Sequence, residues 1–256
     1  MTSRYFIGKG KLYFADKDPV TGQPLGFQWL GNVPRLSLNT NQTRVEHQES
    51  YTGKNLTDKV VTGPISADAS FTVEEMTKEN LTRFLYGSTT IISPATITNE
   101  NVTARLGQSI ALTRSNLVSF TSLVLAVSPN TVYVAGTDYQ VDLKAGMIFF
   151  PNTSSIANNA ALRANYAAGG MEKVSAFTGD VNRDYWLRFA GLNQAEDDAP
   201  CIIDIYKFRP DPVGSMELIN EGFNQIDIQG MAQYEEKMAD TTADGRFFRI
   251  QITPDS

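Results

Sequence analysis

The sequence contains few of the residues on which chemical sites usually depend. It has one cysteine, Cys201, one histidine, His47, and two tryptophans. A single cysteine can form neither an intramolecular disulfide nor a site with several thiolate ligands. A Ser-His-Asp relay would have to use His47, and no serine lies in a G-x-S-x-G elbow. The sequence therefore predicts no enzymatic activity, no cofactor and no bound metal.

A membrane-spanning stretch and an excess of positive charge are also missing. No apolar run approaches the roughly 20 residues of a membrane span. The first residues, MTSRYFIGKGKLYF, lack the apolar core and cleavage site of a secretory signal, so we expect a cytoplasmic protein. With 22 basic and 28 acidic residues, the net charge of -6 has the wrong sign for holding nucleic acid by its phosphates.

Four features that resemble sites have simpler explanations. His47 has no second histidine or cysteine at ligand spacing, which indicates a solvated loop residue. Cys201 lies in the apolar run CIIDIY, which favours a buried, inert thiol. The acidic residues 196–198 lack calcium-loop spacing and are typical of a charged turn. The GKGK of residues 8–11 lacks phosphate-loop spacing and is predicted to punctuate an N-terminal arm.

The aromatic residues leave a sugar-binding function open. Trp29 and Trp186 have apolar neighbours, which favours packing in the core over a sugar platform. Tyr133, Tyr139 and Tyr166 are the better candidates for surface contacts. A carbohydrate- or cell-surface-binding β-sandwich module therefore remains an alternative function.

Residues 34–73 indicate two strands around which the rest of the chain is organised. Leu36 and Leu38 alternate with polar residues in PRLSLNTNQ, and ISADASFTV alternates in the same way. The predicted buried side of the second strand consists of Ile65, Ala67, Ala69, Phe71 and Val73. Its predicted wet side consists of Ser66, Asp68, Ser70 and Thr72. This wet side is small and polar, and is unsuited to gripping a ligand.

Residues 43–63 are predicted to form a long polar loop between these strands. Such a length exceeds that of ordinary hairpin turns, and long loops are usually functional or disordered. The loop mixes charges with two large apolar residues, which suits an interface that becomes ordered on assembly. Its candidate contact residues are Arg44, Glu46, Glu49, Tyr51, Lys54, Leu56, Asp58 and Lys59. A mobile surface loop is the alternative.

One helix is predicted, over residues 77–86. Thr77 has the character of an N-cap, Met76 and Leu81 can form a hydrophobic staple across it, and Gly87 is predicted to end the helix. A single short helix in a strand-rich chain is expected to cover a sheet, since it is unstable alone.

The remaining sequence divides into an inserted region and a return to the first domain. Residues 88–170 contain short Thr-, Ser- and Asn-rich strands, with Gly169-Gly170 as the predicted hinge. CIIDIYKFR and FNQIDIQGMAQ then predict a second hairpin, whose polar side consists of Gln225, Asp227 and Gln229. The predicted fold is mainly β. One β-domain of residues 1–87 and 171–256 carries a flanking helix and an inserted small β-domain of residues 88–170.

Four stretches resemble the tail tube protein, or major tail protein, of bacteriophages with long non-contractile tails. They are FQWLGNVPRLSLNTNQTRVEHQESYTGK, the helix TKENLTRFLYG, the inserted YVAGTDYQVDLKAGMIFF and the strand pair LRFAGLNQAEDDAPCIIDIYKFRP. Each stretch is weak alone, and their order and spacing over nearly the whole chain make the resemblance more specific.

The resemblance implies a subunit of a tail-tube-type β-sandwich or barrel, with two sheets and one helix. Six subunits would form a ring, and stacked rings would form the tube through which DNA is ejected. By the same resemblance, its partners are other copies, the tape measure protein, the tail terminator and distal tail proteins, and its location is the virion tail. DNA would pass through without specific binding.

The resemblance and the strand pattern together predict which residues face the lumen. They are Ser66, Asp68, Ser70, Thr72, Gln225, Asp227 and Gln229. Arg35 is the exception that needs a partner, since rows of basic residues or stacking aromatics would hold DNA. The long loop is predicted to reach the neighbouring ring.

Overall fold

The computed structural model describes residues 5–238 and 245–253. Within these ranges the chain is mainly β with a single helix, which confirms the predicted fold class. The elements in chain order are β1 (Gly8–Lys17), β2 (Pro24–Trp29), β3 (Arg35–Gln48), β4 (Thr57–Val73), α1 (Lys78–Phe84), β5 (Ser88–Ile92), β6 (Ala95–Thr103), β7 (Gln108–Ala111), β8 (Leu117–Leu125), β9 (Val132–Tyr133), β10 (Gln140–Asp142), β11 (Met147–Phe150), β12 (Ala161–Ala168), β13 (Met171–Ser175), β14 (Tyr185–Asn193), β15 (Ala199–Pro210), β16 (Ile226–Ala232) and β17 (Phe248–Ile252).

The chain forms two compact units. The first unit combines the described residues of Met1–Ser88 and Ser175–Ser256, and the inserted unit is Thr89–Val174. The insertion was predicted to span residues 88–170, so its C-terminal boundary lies later than the Gly169-Gly170 doublet. The reason is that β13 follows this doublet and pairs with β5, so both ends of the inserted unit form one two-stranded sheet.

The first unit contains one eight-stranded sheet. The strand order is β2-β1-β14-β15-β16-β4-β3, with β17 also paired to β15. One edge of β15 is shared, because Cys201–Ile205 pair with β17 whereas Phe208–Pro210 pair with β16. The family resemblance implied two sheets and the residues predicted a hairpin of β15 with β16. The strands β15 and β16 do pair antiparallel, over three residues, and β16 also pairs with β4 over seven residues, so the strands of this unit form one sheet and not two.

An aromatic cluster forms the core on one side of this sheet. Phe14 contacts the rings of Phe71, Phe84, Tyr185 and Phe208, with centroid distances of 5.3–5.8 Å. Four of these rings come from strands and Phe84 comes from α1, so the helix docks on the sheet through this cluster. Burying a phenylalanine side chain contributes on the order of 1.5–3 kcal/mol.

The start of α1 is as predicted, and its end is not. Thr77 caps the helix by accepting a hydrogen bond from the backbone N–H of Asn80 at 3.2 Å, and Met76 and Leu81 both pack on the core. The residue that turns the chain out of the helix is Tyr86, with φ of 47°, and not Gly87. The N–H of Gly87 then donates to the carbonyl of Thr82 at 2.8 Å, as in a Schellman motif.

The inserted unit has its own core between short sheets. A four-stranded sheet, β6-β12-β8-β9, and a three-stranded sheet, β10-β11-β7, share a buried cluster that includes Leu123, Ile148, Phe150 and Leu162. Strand β6 was not predicted, because its sequence ATITNENVT alternates small and polar residues without a strong apolar side.

Candidate functional site

The most distinctive surface of the first unit is the side of β16, β4 and β3 that faces away from the core, called here the polar face. Directly paired residues of antiparallel strands point to the same side of a sheet. Asp227 pairs with Thr72 and Thr72 with Arg35, whereas Gln229 pairs with Ser70 and Ser70 with Ser37. The polar face consists of Arg35, Ser37, Asn39, Asn41, Ser66, Asp68, Ser70, Thr72, Asp227, Gln229 and Met231.

The opposite side of the same strands is packed into the core. Ala67, Ala69, Phe71 and Val73 are at most 2% exposed, as predicted from their alternation. Ile65 was predicted to be buried with them but is 59% exposed. The reason is that β4 has passed beyond the core at this position, so the inward side of Ile65 has no layer to pack against.

The structure places most of the residues predicted to face the lumen on one surface, but two of them differ from the prediction. Thr72 is only 9% exposed, because its hydroxyl donates to the carboxylate of Asp227 across the strands at 2.7 Å. Gln225 precedes β16, and its amide donates to Glu74 at 3.1 Å. Ser66, Asp68, Ser70, Asp227 and Gln229 are the members that lie on the strand surface with some exposure.

Charge on the polar face is low. Asp68 and Asp227 against Arg35 give a formal charge of -1, and no aromatic residue lies among its eleven members. Arg35 is exposed and lies opposite Thr72. The sequence predicted that Arg35 needs a partner, and within the described ranges no carboxylate forms an ion pair with it. The face therefore offers neither a row of phosphate contacts nor a stacking platform.

The predicted long loop is in fact mostly strand. Residues 44–48 continue β3 and residues 57–62 continue β4, and these two stretches pair antiparallel, with a register shift between His47 and Gln48. Arg44, Glu46, Asp58 and Lys59 therefore lie on strands. We call residues 44–62 the arm. The polar composition concealed the strands, because an arm without a core beneath it needs no apolar side.

The tip of the arm, residues 49–56, is held in shape by one carboxylate. Glu49 is 3% exposed and accepts hydrogen bonds from the backbone N–H groups of Tyr51 and Thr52, both at 2.9 Å. The hydroxyl of Thr52 also donates to it. The Thr52 side-chain bond, followed by the backbone bonds, lowers the pKa of Glu49. Glu49 was predicted as a contact residue, but it organises the tip from inside.

The arm exposes the remaining predicted contact residues. Tyr51 is 82% and Leu56 56% exposed at the tip, and Lys54 is exposed between them. His47 was predicted as a solvated loop residue; it is exposed, but lies on β3, where its ring contacts the carboxylate of Asp58. A two-stranded hairpin with large exposed apolar residues is marginal alone, which is typical of a segment covered by a partner.

The other half of the same sheet side carries rings and cations, and we call it the aromatic face. Trp29 is 49% exposed, so the prediction that it packs in the core is wrong. It lies on the edge strand β2, where the ammonium of Lys11 sits 5.0 Å from its ring centroid. The aromatic face consists of Lys11, Tyr13, Phe27, Trp29, Trp186, Arg188, Asp204, Tyr206 and Arg249.

A buried carboxylate anchors the aromatic face. Asp204 is 0% exposed and accepts hydrogen bonds from Trp186 at 2.9 Å, from Arg188 at 2.6 and 2.9 Å, and from Arg249 at 3.1 Å. Burial alone would raise the pKa of Asp204, but the bonds from Arg188 and Trp186 outweigh it and lower the pKa. Trp186 is 3% exposed, as predicted.

The tyrosines proposed as surface contacts are in the core of the inserted unit. Tyr139 and Tyr166 are 3% and 1% exposed, and Tyr133 packs against the same cluster. Burial and the hydrogen bond to Glu100 raise the pKa of Tyr166 to about 12. The prediction was wrong because these residues lie on inward positions of strands and turns whose pattern is too short to assign.

Two further predictions are confirmed and one is wrong. Cys201 is buried, and burial raises the pKa of its thiol. Residues 196–198 belong to the turn between β14 and β15. The GKGK of residues 8–11 does not punctuate an arm but lies within β1, where Gly10 pairs with Gly191 so closely that a side chain at either would collide with neighbouring atoms.

The described part of the chain has neither a candidate membrane-spanning helix nor a candidate metal-binding cluster. No helix there has the length and apolarity to cross a bilayer. No group of three or more His, Cys, Asp or Glu residues there could hold a metal ion.

Comparison with known proteins places the chain in a family. A family profile described as "Protein of unknown function UCP028589" matches residues 5–251. No curated protein matches the chain. Since the profile covers nearly all of the sequence, the chain belongs to this family of proteins of unknown function.

Proposed function

We propose that the protein is a structural subunit of a tubular assembly of the bacteriophage tail tube kind. Copies form a ring, six by the resemblance, and rings stack into a tube whose lumen is lined by the polar face. In this proposal the protein is a virion component assembled in the host cytoplasm. Its further partners are the tape measure, tail terminator and distal tail proteins implied by the resemblance.

The observation that carries the proposal is the chemistry of the polar face. DNA that moves through a tube must not be held by its wall. Each lysine or arginine on a phosphate releases counterions and adds affinity, and each stacked base adds about 1–3 kcal/mol. The polar face, which has no aromatic residue and has Arg35 as its one basic residue, meets this requirement.

The edges of the sheet support closure into a ring. The strand order ends at β2 on one side and β3 on the other, and each end strand presents unpaired backbone groups. Contact of the β3 edge, beside the polar face, with a different surface of a neighbouring copy is heterologous, and such a contact closes into a ring when the rotation fits. The arm, which continues β3 and β4 beyond the core, is the element available to contact the next ring.

Shortening the arm separates ring formation from stacking. Replacing residues 46–60 by Asn-Gly keeps the Val45–Val61 pair and closes it with a two-residue turn. Electron microscopy of the wild type at high concentration is expected to show rings and tubes, whereas the shortened variant forms rings only. Wild type that stays monomeric contradicts the proposal, and normal tubes from the shortened variant remove the arm from stacking.

One observation favours the alternative, a carbohydrate-binding module. Trp29 is half exposed beside Phe27 on the sheet edge, and Lys11 covers only one face of its ring. Trp186 is buried, so a change in fluorescence on adding a sugar would report mainly Trp29. The alternative predicts a saturable change that Trp29→Ala abolishes. Lack of any change across a panel of neutral and acidic oligosaccharides removes it.

A further inference from the structure

The link between β15 and β16, residues 211–225, exposes large apolar side chains. Ile219 is 97%, Phe223 92% and Leu218 72% exposed. Together with Met76 and Glu74 they line an open groove of about 500 Å³, within the ~300–1,000 Å³ typical of pockets that bind ligand groups. Three nearly bare hydrophobic residues within six positions mark a surface that a partner covers.

The link is fixed to the core on both sides of this groove. The N–H of Asp211 donates to Gln229 at 2.7 Å, and the N–H of Val213 donates to the carbonyl of Phe84 at 3.0 Å. Val213 and Met216 pack on the core, and at the other end Gln225 bonds to Glu74. The segment thus has inward and outward apolar residues, and its outward ones have no cover in the described part of the chain.

The arm tip has the complementary chemistry. It presents Tyr51 and Leu56 with Lys54 between them, on a turn fixed by Glu49. The link contains Asp211, Glu217 and Glu221 and no lysine or arginine. Lys54 is the exposed charge of the tip, since Glu49 is buried within it, and this charge and the apolar side chains of the tip complement the acidic, apolar link. Because the tip is already ordered, docking requires little loss of conformational freedom.

The tip cannot reach the groove of its own chain. The groove lies at the Val73 end of β4, because Glu74 lines it, whereas the tip adjoins Thr57 at the other end. The 17 residues of β4 separate these ends by about 50 Å at ~3.3 Å per residue. A tip that occupies the groove must therefore belong to another copy of the chain.

We propose that the arm tip of one copy docks into the link groove of the next. Tyr51 and Leu56 enter between Leu218, Ile219 and Phe223, and Lys54 faces Glu217 and Glu221. The two surfaces differ, so the contact is heterologous and repeats along one axis. The inference rests on the proposed function only in taking this axis as that of the tube.

Two variants of the full chain test the contact. The tip variant, Tyr51→Ser with Leu56→Ser, removes the apolar side chains of the tip, and the groove variant, Ile219→Ser with Phe223→Ser, removes those of the groove. All four side chains are exposed, so both variants are expected to fold. Thermal unfolding checks this. Each variant alone should need about tenfold or more protein to stack, as for loss of interface hot spots. Val118→Ser with Val134→Ser, exposed in the inserted unit, is the matched control and should assemble normally.

Mixing the two variants gives the decisive result. The intact tip of the groove variant can dock into the intact groove of the tip variant, so an equimolar mixture should sediment as a complex that neither variant forms alone. The complex should stop at one such contact per pair, without long tubes. Tip-to-tip or groove-to-groove contacts would instead let one of the variants associate alone, which overturns the proposal.

The outcomes distinguish the inference from the proposed function. Wild-type tubes together with normal tubes from the groove variant overturn the docking site and leave the tube proposal standing. A complex in the mixture without rings in the wild type supports the docking site and contradicts the tube. No association in any sample contradicts both. Charge reversal gives a second measurement, since Lys54→Glu should weaken stacking and Glu217→Lys with Glu221→Lys should restore it.

Discussion

The polar face and the aromatic face lie on the same side of one sheet and above the same core, yet their chemistry differs. On the aromatic face, polar and charged groups are bonded to one another, with Asp204 held by Trp186, Arg188 and Arg249. On the polar face, most of the side chains are small and polar, and the only buried hydroxyl among the residues described is that of Thr72. The first face is stabilised by its own contacts, and the second is left to solvent.

This difference indicates that the residues that stabilise the sheet and the residues that serve its function lie on different parts of the same sheet surface. Residues that anchor the sheet should be sensitive to substitution, whereas residues of the polar face should tolerate it in the isolated subunit. Any strong effect of a polar-face substitution should then appear in the assembly or toward DNA. Four measurements test this distinction.

The largest contrast is expected between two neighbouring residues of β4. Phe71 lies in the aromatic core and Ser70 lies on the polar face. Phe71→Ala should lower the free energy of unfolding by about 3–5 kcal/mol, because it leaves a cavity among packed rings. Ser70→Ala should change it by less than about 0.5 kcal/mol, as for a surface substitution. Denaturant titrations measure both, and equal losses would contradict the assignment of the two sides.

The next largest effect on stability is expected at Asp204, the buried carboxylate of the aromatic face. Asp204→Asn keeps an acceptor for Trp186 but removes the charge that Arg188 and Arg249 need. We expect a loss of about 2–3 kcal/mol in the free energy of unfolding, at the lower end for a broken ion pair because both arginines are part-exposed. Asp68→Asn on the polar face is the matched control and should be close to neutral, since Asp68 is exposed.

Acid should affect the same anchor. The folded pKa of Asp204 lies below its ordinary value. Burial would raise the pKa of Glu235, but the hydrogen bond from Lys17, with further bonds and charges, outweighs it, so this pKa is lowered as well. Their stabilisation is therefore present above the ordinary carboxyl pKa and is lost as the pH falls through the folded values. Denaturant midpoints between pH 7 and pH 3 should fall less in Asp204→Asn than in the wild type. An equal fall would show that Asp204 is not responsible.

The smallest effect on stability is expected for added positive charge on the polar face, which should have a large effect on DNA binding. Ser70→Arg with Gln229→Arg places two guanidinium groups on adjacent strands of the polar face. The free energy of unfolding should change by less than about 1 kcal/mol. Binding to double-stranded DNA should increase and become steeper in salt by about 0.9 per added phosphate contact. Wild type that already binds DNA equally well would contradict a non-adhesive wall.

Alternation in the sequence was sufficient to predict the two sides of β4 and β16, because a core lies beneath both strands. It failed at Ile65, where the core ends, and in the arm, where strand pairing persists without any apolar side. It also failed at Trp29, whose apolar neighbours resemble a core strand although β2 is an edge. Composition cannot reveal an edge, since edges follow from strand order.

Local capping chemistry was predicted better than contacts between distant residues. Thr77 could be placed as an N-cap from its neighbours alone, whereas the role of Tyr86 depends on a backbone conformation that glycine usually adopts. The hydrogen bonds of Glu49 within the tip and of Asp204 between strands require the fold. The site is therefore predictable as a polar strand surface and not as an organised arm, tip and groove.

Electron cryo-microscopy of the purified full chain at high concentration would show whether copies form a tube and which face of the sheet lines it. The account predicts stacked rings with a continuous lumen, lined by β3, β4 and β16 with Ser70, Asp68 and Gln229 on the inner wall. A chain that remains monomeric, or a tube whose lumen is lined by Trp29, Phe27 and Lys11 of the aromatic face, would contradict it.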